Sequence, residues 1–112
     1  MRTLIRSEGF DAPSALREHV IQRLAFLLQP FEGDIDQITV HLENCTASQP
    51  DAQRLCRITA EMRCDTVMVE ERKSHFSIAF DFAVKRLLYS IWSSLNAERE
   101  AIASAVLHQH RE

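Results

Sequence analysis

The stretch LCRITAEMRC, residues 55–64, decides the fold class because every second side chain in it is apolar or small. A period of two places alternate side chains on opposite faces of a β-strand. The stretch therefore predicts a strand with one buried face and one solvated face. Its buried face is predicted to carry Cys56, Ile58, Ala60, Met62 and Cys64.

Three further segments predict the remaining strands of one sheet. Residues 66–72 follow a plausible tight turn at Asp65-Thr66 and complete a hairpin with the first stretch. Upstream, residues 38–43 alternate in the same way, and residues 3–6 predict a short strand. A polar stretch from Asn44 to Gln53 is the longest predicted loop.

The first helix is predicted between the first two strands. Asp11 is an acceptor side chain suited to the N-cap, and Pro13 fits the first turn, where no N–H bond is lost. Pro30 and Gly33 are expected to end the helix. Its apolar stripe is Leu16, Val20, Leu24, Leu27 and Leu28.

The second helix completes the order β-α-β-β-β-α. Ser74 is a candidate N-cap, and no Gly or Pro follows it, so at least residues 76–95 are predicted to be helical. One stripe of this helix can cover the sheet: Phe76, Phe80, Ala83, Leu87 and Ile91. The predicted fold class is α+β, a two-layer structure in which both helices pack on one face of a four-stranded sheet.

Composition limits the class of protein. The chain has 112 residues, of which 46% are hydrophobic and 26% charged, with two Gly, three Pro and a net charge of −3. These values fit a single globular domain and exclude a disordered or fibrous chain. No apolar run approaches the roughly 20 residues that cross a bilayer, and the first residues do not resemble a signal peptide. We therefore expect a cytoplasmic protein with no membrane partner.

The second helix carries another apolar set, roughly opposite the sheet-facing stripe: Ile78, Phe82, Tyr89 and Trp92. A helix that is apolar on two faces is either buried within the chain or has a partner. We divide the chain into a domain at residues 1–95 and a helical extension or tail at residues 96–112. That last segment folds back over the second face, extends the helix towards another subunit, or frays.

Several segments together resemble the ribosome hibernation promoting factor family, which includes the ribosome-associated inhibitor and the sigma-54 modulation proteins. The helix opening ALREHV, residues 15–20, is similar to the family's ALREYV, and QRL at residues 22–24 stands where the family has Glu-Lys-Leu. The family's second helix typically carries AAID, and this chain has IAFD at residues 78–81. The resemblance covers about residues 3–95.

The resemblance implies a non-enzymatic factor that binds rRNA of the small ribosomal subunit and silences ribosomes during stress. Such binding uses Lys and Arg side chains on the helices and nearby loops, which contact phosphates. The alternative is that these are ordinary solvated residues; Lys85, for example, has Asp81 four positions earlier. The resemblance implies Arg17, Arg23 and Arg86 as RNA-binding residues, and Lys85 adds a basic residue that the family pattern does not require. Arg72 and Lys73, near the start of the second helix, are further candidates for RNA contact, although solvation also explains them.

The sequence also departs from this family. Residues 88–95 read LYSIWSSL, without a basic residue where the family continues with several. This departure motivates an alternative function: a diverged member that lost rRNA binding and acts as a homodimer or as a module for a protein partner. Large aromatic side chains can stack on bases or anchor a protein. The protein-interface residues in this alternative are Ile78, Phe82, Tyr89 and Trp92.

Other function classes have little support in the sequence. His108-Gln109-His110 and the eight-residue separation of Cys56 and Cys64 match no common zinc pattern, so we expect no metal. No Gly-rich phosphate loop is present, and the cysteines, including Cys45, are expected to be reduced and buried. His41, Arg57 and Arg63 with Glu43 and Glu61 favour a solvated, mixed-charge face of the sheet. We expect no enzymatic activity, no cofactor and no DNA partner.

Overall fold

The computed structural model describes residues 1–45, 53–63 and 65–109 and has the predicted order β-α-β-β-β-α. A short 3₁₀ helix, Gln29–Asp34, follows the first helix. The predicted α+β class is confirmed. The main elements are β1 (Arg2–Glu8), α1 (Ser14–Leu27), β2 (Ile35–Asn44), β3 (Arg54–Met62), β4 (Thr66–Lys73) and α2 (Phe76–Gln109).

The four strands form one mixed sheet in the order β1-β2-β3-β4. β1 runs parallel to β2, because α1 carries the chain back across the sheet between them, whereas β2, β3 and β4 pair antiparallel. The edges of the sheet are therefore β1 and β4. Gly9, which follows β1, has a φ of 81°, a backbone conformation that glycine adopts readily.

The core lies between the helices and one face of the sheet. The alternation predicted for residues 55–64 is confirmed where the structure describes it: Ile58 and Ala60 are fully buried, while Thr59 between them faces the other side. α2 covers β3 and β4. The largest buried side chains include Phe80, Leu24, Leu28, Ile38, Leu42, Ile58, Leu87 and Ile91.

The other face of the sheet is polar, as the mixed-charge pattern predicts. Arg57 on β3 forms an ion pair with Glu70 on β4, with 2.9 Å between guanidinium and carboxylate. His41 lies between two glutamates on the same face. Leu55 departs from this pattern because it is only 1% exposed although its side chain alternates with the core positions of β3.

The first helix does not begin as predicted. Asp11 is not its cap: Pro13 occupies the N-cap with extended backbone, and no side chain caps the helix. The carbonyl of Pro13 accepts a hydrogen bond from the Arg17 N–H at 3.1 Å. The fixed φ of proline is compatible both with the first turn of a helix and with this extended N-cap position. The sequence pattern therefore did not distinguish the two, and it placed the N-cap of α1 at Asp11, two residues too early.

The second helix begins at Phe76, and its first turn is closed by a hydrogen bond from the Ala79 N–H to the His75 carbonyl, so Ser74 is not the cap. It is one element of 34 residues, about 50 Å long at 1.5 Å per residue. Ser94 donates a hydrogen bond to Asp65 at 2.8 Å near the point where the helix leaves the sheet. Residues 101–105 are exposed. Among the described residues, no helix is long and apolar enough to span a membrane.

Some predicted features lie outside the described residues. The two ends of the long loop meet, because the Cys45 N–H donates to the Gln53 carbonyl at 2.7 Å, but residues 46–52 between them are not described. The same holds for Cys64 and His110. Of the other two cysteines, Cys56 is buried as predicted, whereas Cys45 is only partly buried.

Candidate nucleic-acid interface

The exposed face of α2 and the adjoining edge strand β4 bring the two predicted lysines and the predicted aromatic residues together. Strand alternation directs Glu71 and Lys73, near the end of β4, towards the helices, together with the buried Val67 and Val69. α2 passes over this edge of the sheet. Side chains from the strand edge therefore contact the exposed flank of the helix.

Both lysines of the chain lie against the same aromatic ring. The Lys73 ammonium is 4.5 Å from the centroid of the Phe82 ring, and that of Lys85 is 5.7 Å away. Lys73 and Lys85 are the only lysines in the sequence. Each distance is within the range of cation–π attraction, and the Phe82 side chain is 47% exposed. A flat ring between two cations presents a surface suited to a phosphate and an adjacent base.

The two neighbouring arginines are paired with carboxylates of β4. Arg86 donates to the Glu70 carbonyl at 2.9 Å and to the Glu71 carboxylate at 3.1 Å. Arg72 lies 3.8 Å from the Glu70 carboxylate, which also forms the ion pair with Arg57 on the open face of the sheet. An arginine paired in this way contributes less free energy to phosphate binding than a lysine without an ion pair does, because the existing ion pair must be weakened first.

The arginines of α1 lie on opposite flanks of that helix. The His19 ring contacts the Phe80 ring of α2 at 6.0 Å, so the flank with His19 faces α2. Arg23 follows His19 by one turn and shares its flank; it is exposed and makes no ion pair with a described residue. Arg17 is on the far flank, where its Nε donates to the Ala12 carbonyl at 3.2 Å. The six predicted basic residues thus occupy four separate places: the α2/β4 edge with Lys73, Lys85 and Arg86, the open face of the sheet with Arg72, and the two flanks of α1 with Arg17 and Arg23.

The second apolar face of α2 is exposed along its length. The exposed fractions are 39% for Ile78, 71% for Tyr89 and 55% for Trp92. The rings of Tyr89 and Trp92 lie 6.5 Å apart, one turn beyond Lys85. In the described part of the chain the last segment continues α2 and does not fold back over this face. Aromatic and basic side chains therefore share one continuous surface, which we name the α2 face: Lys73, Ile78, Phe82, Lys85, Tyr89 and Trp92.

The buried thiol of Cys56 is unsuited to nucleophilic chemistry. Burial raises its pKa to about 12, so it stays protonated at neutral pH. Cys45 donates a hydrogen bond to the Glu43 carboxylate at 3.0 Å, and this bond raises the pKa of its thiol. Neither cysteine provides the thiolate that a catalytic cysteine requires.

The sequence pattern alone did not show that Lys73 reaches Phe82. The signal was available in retrospect: Lys73 lies an even number of positions after Val67 and Val69, so it shares their face, and Phe82 belongs to the exposed stripe of the next helix. What the pattern lacked was the position of α2 over β4, which fixes the distance between them.

Comparison with solved structures shows that the fold is one that other proteins share. No family model and no curated protein matches this chain in sequence. The N-terminal domain of Protein Y from Thermus thermophilus is similar, with a TM-score of 0.66 and 23% identity over 81% of this chain and 96% of that chain. A ribosomal subunit interface protein from Coxiella burnetii is similar with a TM-score of 0.72 and 18% identity, over 87% of this chain and 99% of that chain.

These two similarities establish the fold of the chain. Each covers almost all of the neighbour and more than four-fifths of this chain, so the whole β-α-β-β-β-α domain corresponds. The fold that the resemblance to the hibernation factor family implied is thereby confirmed.

Proposed function

We propose that this chain is a ribosome-associated factor that binds rRNA of the small subunit and holds ribosomes inactive. The observation that carries the proposal is the pair of lysines on the Phe82 ring, displayed on a fold shared with a protein named for the ribosomal subunit interface. The resemblance of residues 15–20 and 78–81 to the hibernation factors supports the same function. Contacts to phosphate would position the factor with little reading of sequence.

The chemistry of the α2 face fits RNA better than its net charge suggests. The chain as a whole carries −3, but phosphate contacts depend on local charge and not on the sum. Lys73 and Lys85 supply that local charge beside exposed rings. We include Arg86, Arg72, Arg17 and Arg23 in the proposed contacts, and we rank the paired Arg86 and Arg72 below the lysines.

Co-sedimentation with small ribosomal subunits tests this function. We expect the protein to migrate with bacterial small subunits through a density gradient at about 50 mM salt and to be released as salt rises towards about 200 mM, because phosphate contacts weaken with counterion concentration. The full chain is used, and free protein in the same gradient is the control. Absence of co-migration at the lower salt would contradict rRNA binding.

A second function is favoured by the exposed apolar side chains of the α2 face. Tyr89 and Trp92 are each more than half exposed, and large exposed aromatic residues are typical anchors of protein interfaces. We propose as the alternative that this face pairs two copies of the chain or holds a protein partner. The absence of basic residues between Leu88 and Leu95 motivates it.

Charge introduced at Trp92 distinguishes the dimer. If the α2 face joins two copies, the wild-type protein sediments as a dimer at micromolar concentration and Trp92→Glu sediments as a monomer, because a buried charge without a partner is strongly unfavourable at an interface. Met68→Glu is the matched control, since Met68 is 62% exposed but lies on the open face of the sheet. A wild-type monomer at all concentrations would exclude the dimer.

A further inference from the structure

Three potential metal ligands converge on the open face of the sheet, away from the α2 face. The pairing of β1 with β2 sets Glu8 directly opposite Glu43, and His41 lies two residues before Glu43 on the same face. One ligand atom from each of the three lies within 4.8 Å of the others. His41 Nε2 is 3.4 Å from a Glu8 oxygen and 3.7 Å from a Glu43 oxygen.

These distances fit the edges of a tetrahedral zinc site. Zinc binds imidazole nitrogen and carboxylate oxygen at about 2.0–2.2 Å, so two ligand atoms of a tetrahedron lie about 3.4 Å apart. The two measured separations from His41 Nε2 are close to that value without movement of the backbone. The His41 side chain is 22% exposed and that of Glu43 33%, so the site is open enough for an ion to enter.

Charge at this place also favours a cation. Two carboxylates opposite each other on one face of a sheet repel. The guanidinium of Arg57, beside His41 on β3, is held by Glu70 at 2.9 Å, and Arg6, across from His41 on β1, forms no ion pair with either glutamate. The Cys45 thiol donates a hydrogen bond to Glu43 Oε2 at 3.0 Å, and this bond orients the carboxylate whose other oxygen, Oε1, lies near His41.

We propose that Glu8, His41 and Glu43 bind one zinc ion or a similar first-row divalent metal. Imidazole with two carboxylates suits such metals, whereas magnesium and calcium prefer oxygen alone. Three protein ligands leave a fourth position for water. The proposal does not depend on ribosome binding, because the cluster lies on the face of the sheet opposite the helices.

Titration with zinc chloride, followed by calorimetry, tests the site. The sequence also carries His108 and His110, so the experiment uses His108→Ala/His110→Ala as the background to remove that competing pair. On this background we expect one zinc ion to bind per chain. We expect each of the substitutions His41→Asn and Glu8→Gln to lower the zinc affinity at least about tenfold. Glu61→Gln, an exposed carboxylate of the same face, is the matched control and leaves the affinity unchanged.

Cobalt substitution gives a second measurement that a loss of folding would not imitate. Visible absorption from cobalt in a tetrahedral site is expected in the background protein and in Glu61→Gln. If this absorption disappears in Glu8→Gln while the circular dichroism is unchanged, Glu8 is assigned as a metal ligand. Zinc affinity equal in all variants, or absence of binding in the background protein, would overturn the proposal and leave His41 as a partner of two carboxylates only.

Discussion

Replacing both lysines of the α2 face, as Lys73→Gln/Lys85→Gln, is expected to lower affinity for small ribosomal subunits about a hundredfold at low salt. Each lysine is assigned one phosphate contact of about 1.4 kcal/mol, a tenfold effect, at the lower limit for hydrogen bonds between charged groups. The two substitutions change no buried residue, because Lys73 is partly exposed and Lys85 exposed. Folding is therefore expected to be preserved.

The salt dependence makes this prediction specific to phosphate contacts. Each contact with a single strand contributes about 0.7 to the slope of log affinity against log salt, so the double variant has a slope smaller by about 1.4. Filter binding or gradient sedimentation at four salt concentrations measures it. Arg2→Gln/Arg6→Gln removes the same charge from β1, the opposite edge of the sheet, and is the control.

Three outcomes of this experiment decide whether the α2 face contacts rRNA. If both double variants lose affinity equally, binding depends on total charge and the α2 face is not the site. If wild-type protein binds and neither variant loses affinity, the lysines are solvated residues whose main contact is the Phe82 ring. A loss confined to the lysine variant, with the smaller slope, supports the α2 face as the rRNA contact.

The sequence predicted the layers of the fold because local periodicity determines them. Ile58 and Ala60 share a face of β3 by strand alternation, and Leu87 and Ile91 share a face of α2 by helical spacing. Each pattern can be read from neighbouring residues alone, so the sequence predicts which face of each element is buried. The start of α1 was predicted two residues too early because Asp11 is a good cap in isolation. In the folded chain Pro13 holds the extended backbone at that end instead.

The candidate sites could not be predicted in the same way because each is assembled between elements. The contact of Lys73 with Phe82 requires the position of α2 over β4, which depends on packing of the whole core. Glu8 and Glu43 are 35 positions apart and meet only through the parallel register of β1 and β2. No spacing rule for metal ligands describes such a pair, so a zinc motif in the sequence does not predict this cluster.

Truncation of the central core residue in Phe80→Ala is expected to lower the free energy of unfolding by about 3–5 kcal/mol. Phe80 is only 1% exposed, and its ring meets His19 of α1 as well as the sheet. Removing the ring leaves a cavity at the place where α1, α2 and the sheet join. The free energy of unfolding of natural domains is only about 5–15 kcal/mol, so this substitution removes a large part of the stability.

Urea denaturation measures the effect, and Phe82→Ala is the matched control on the same helix. With a slope of about 2 kcal/mol/M, the midpoint of Phe80→Ala falls by about 2 M while the slope stays unchanged. Phe82 is 47% exposed and contacts the lysines, so its truncation costs about 1 kcal/mol or less. If Phe80→Ala does not fold, Phe80→Leu gives the same direction with a smaller loss. Equal losses at Phe80 and Phe82 would mean that both faces of α2 are buried in solution, which would place a partner on the α2 face.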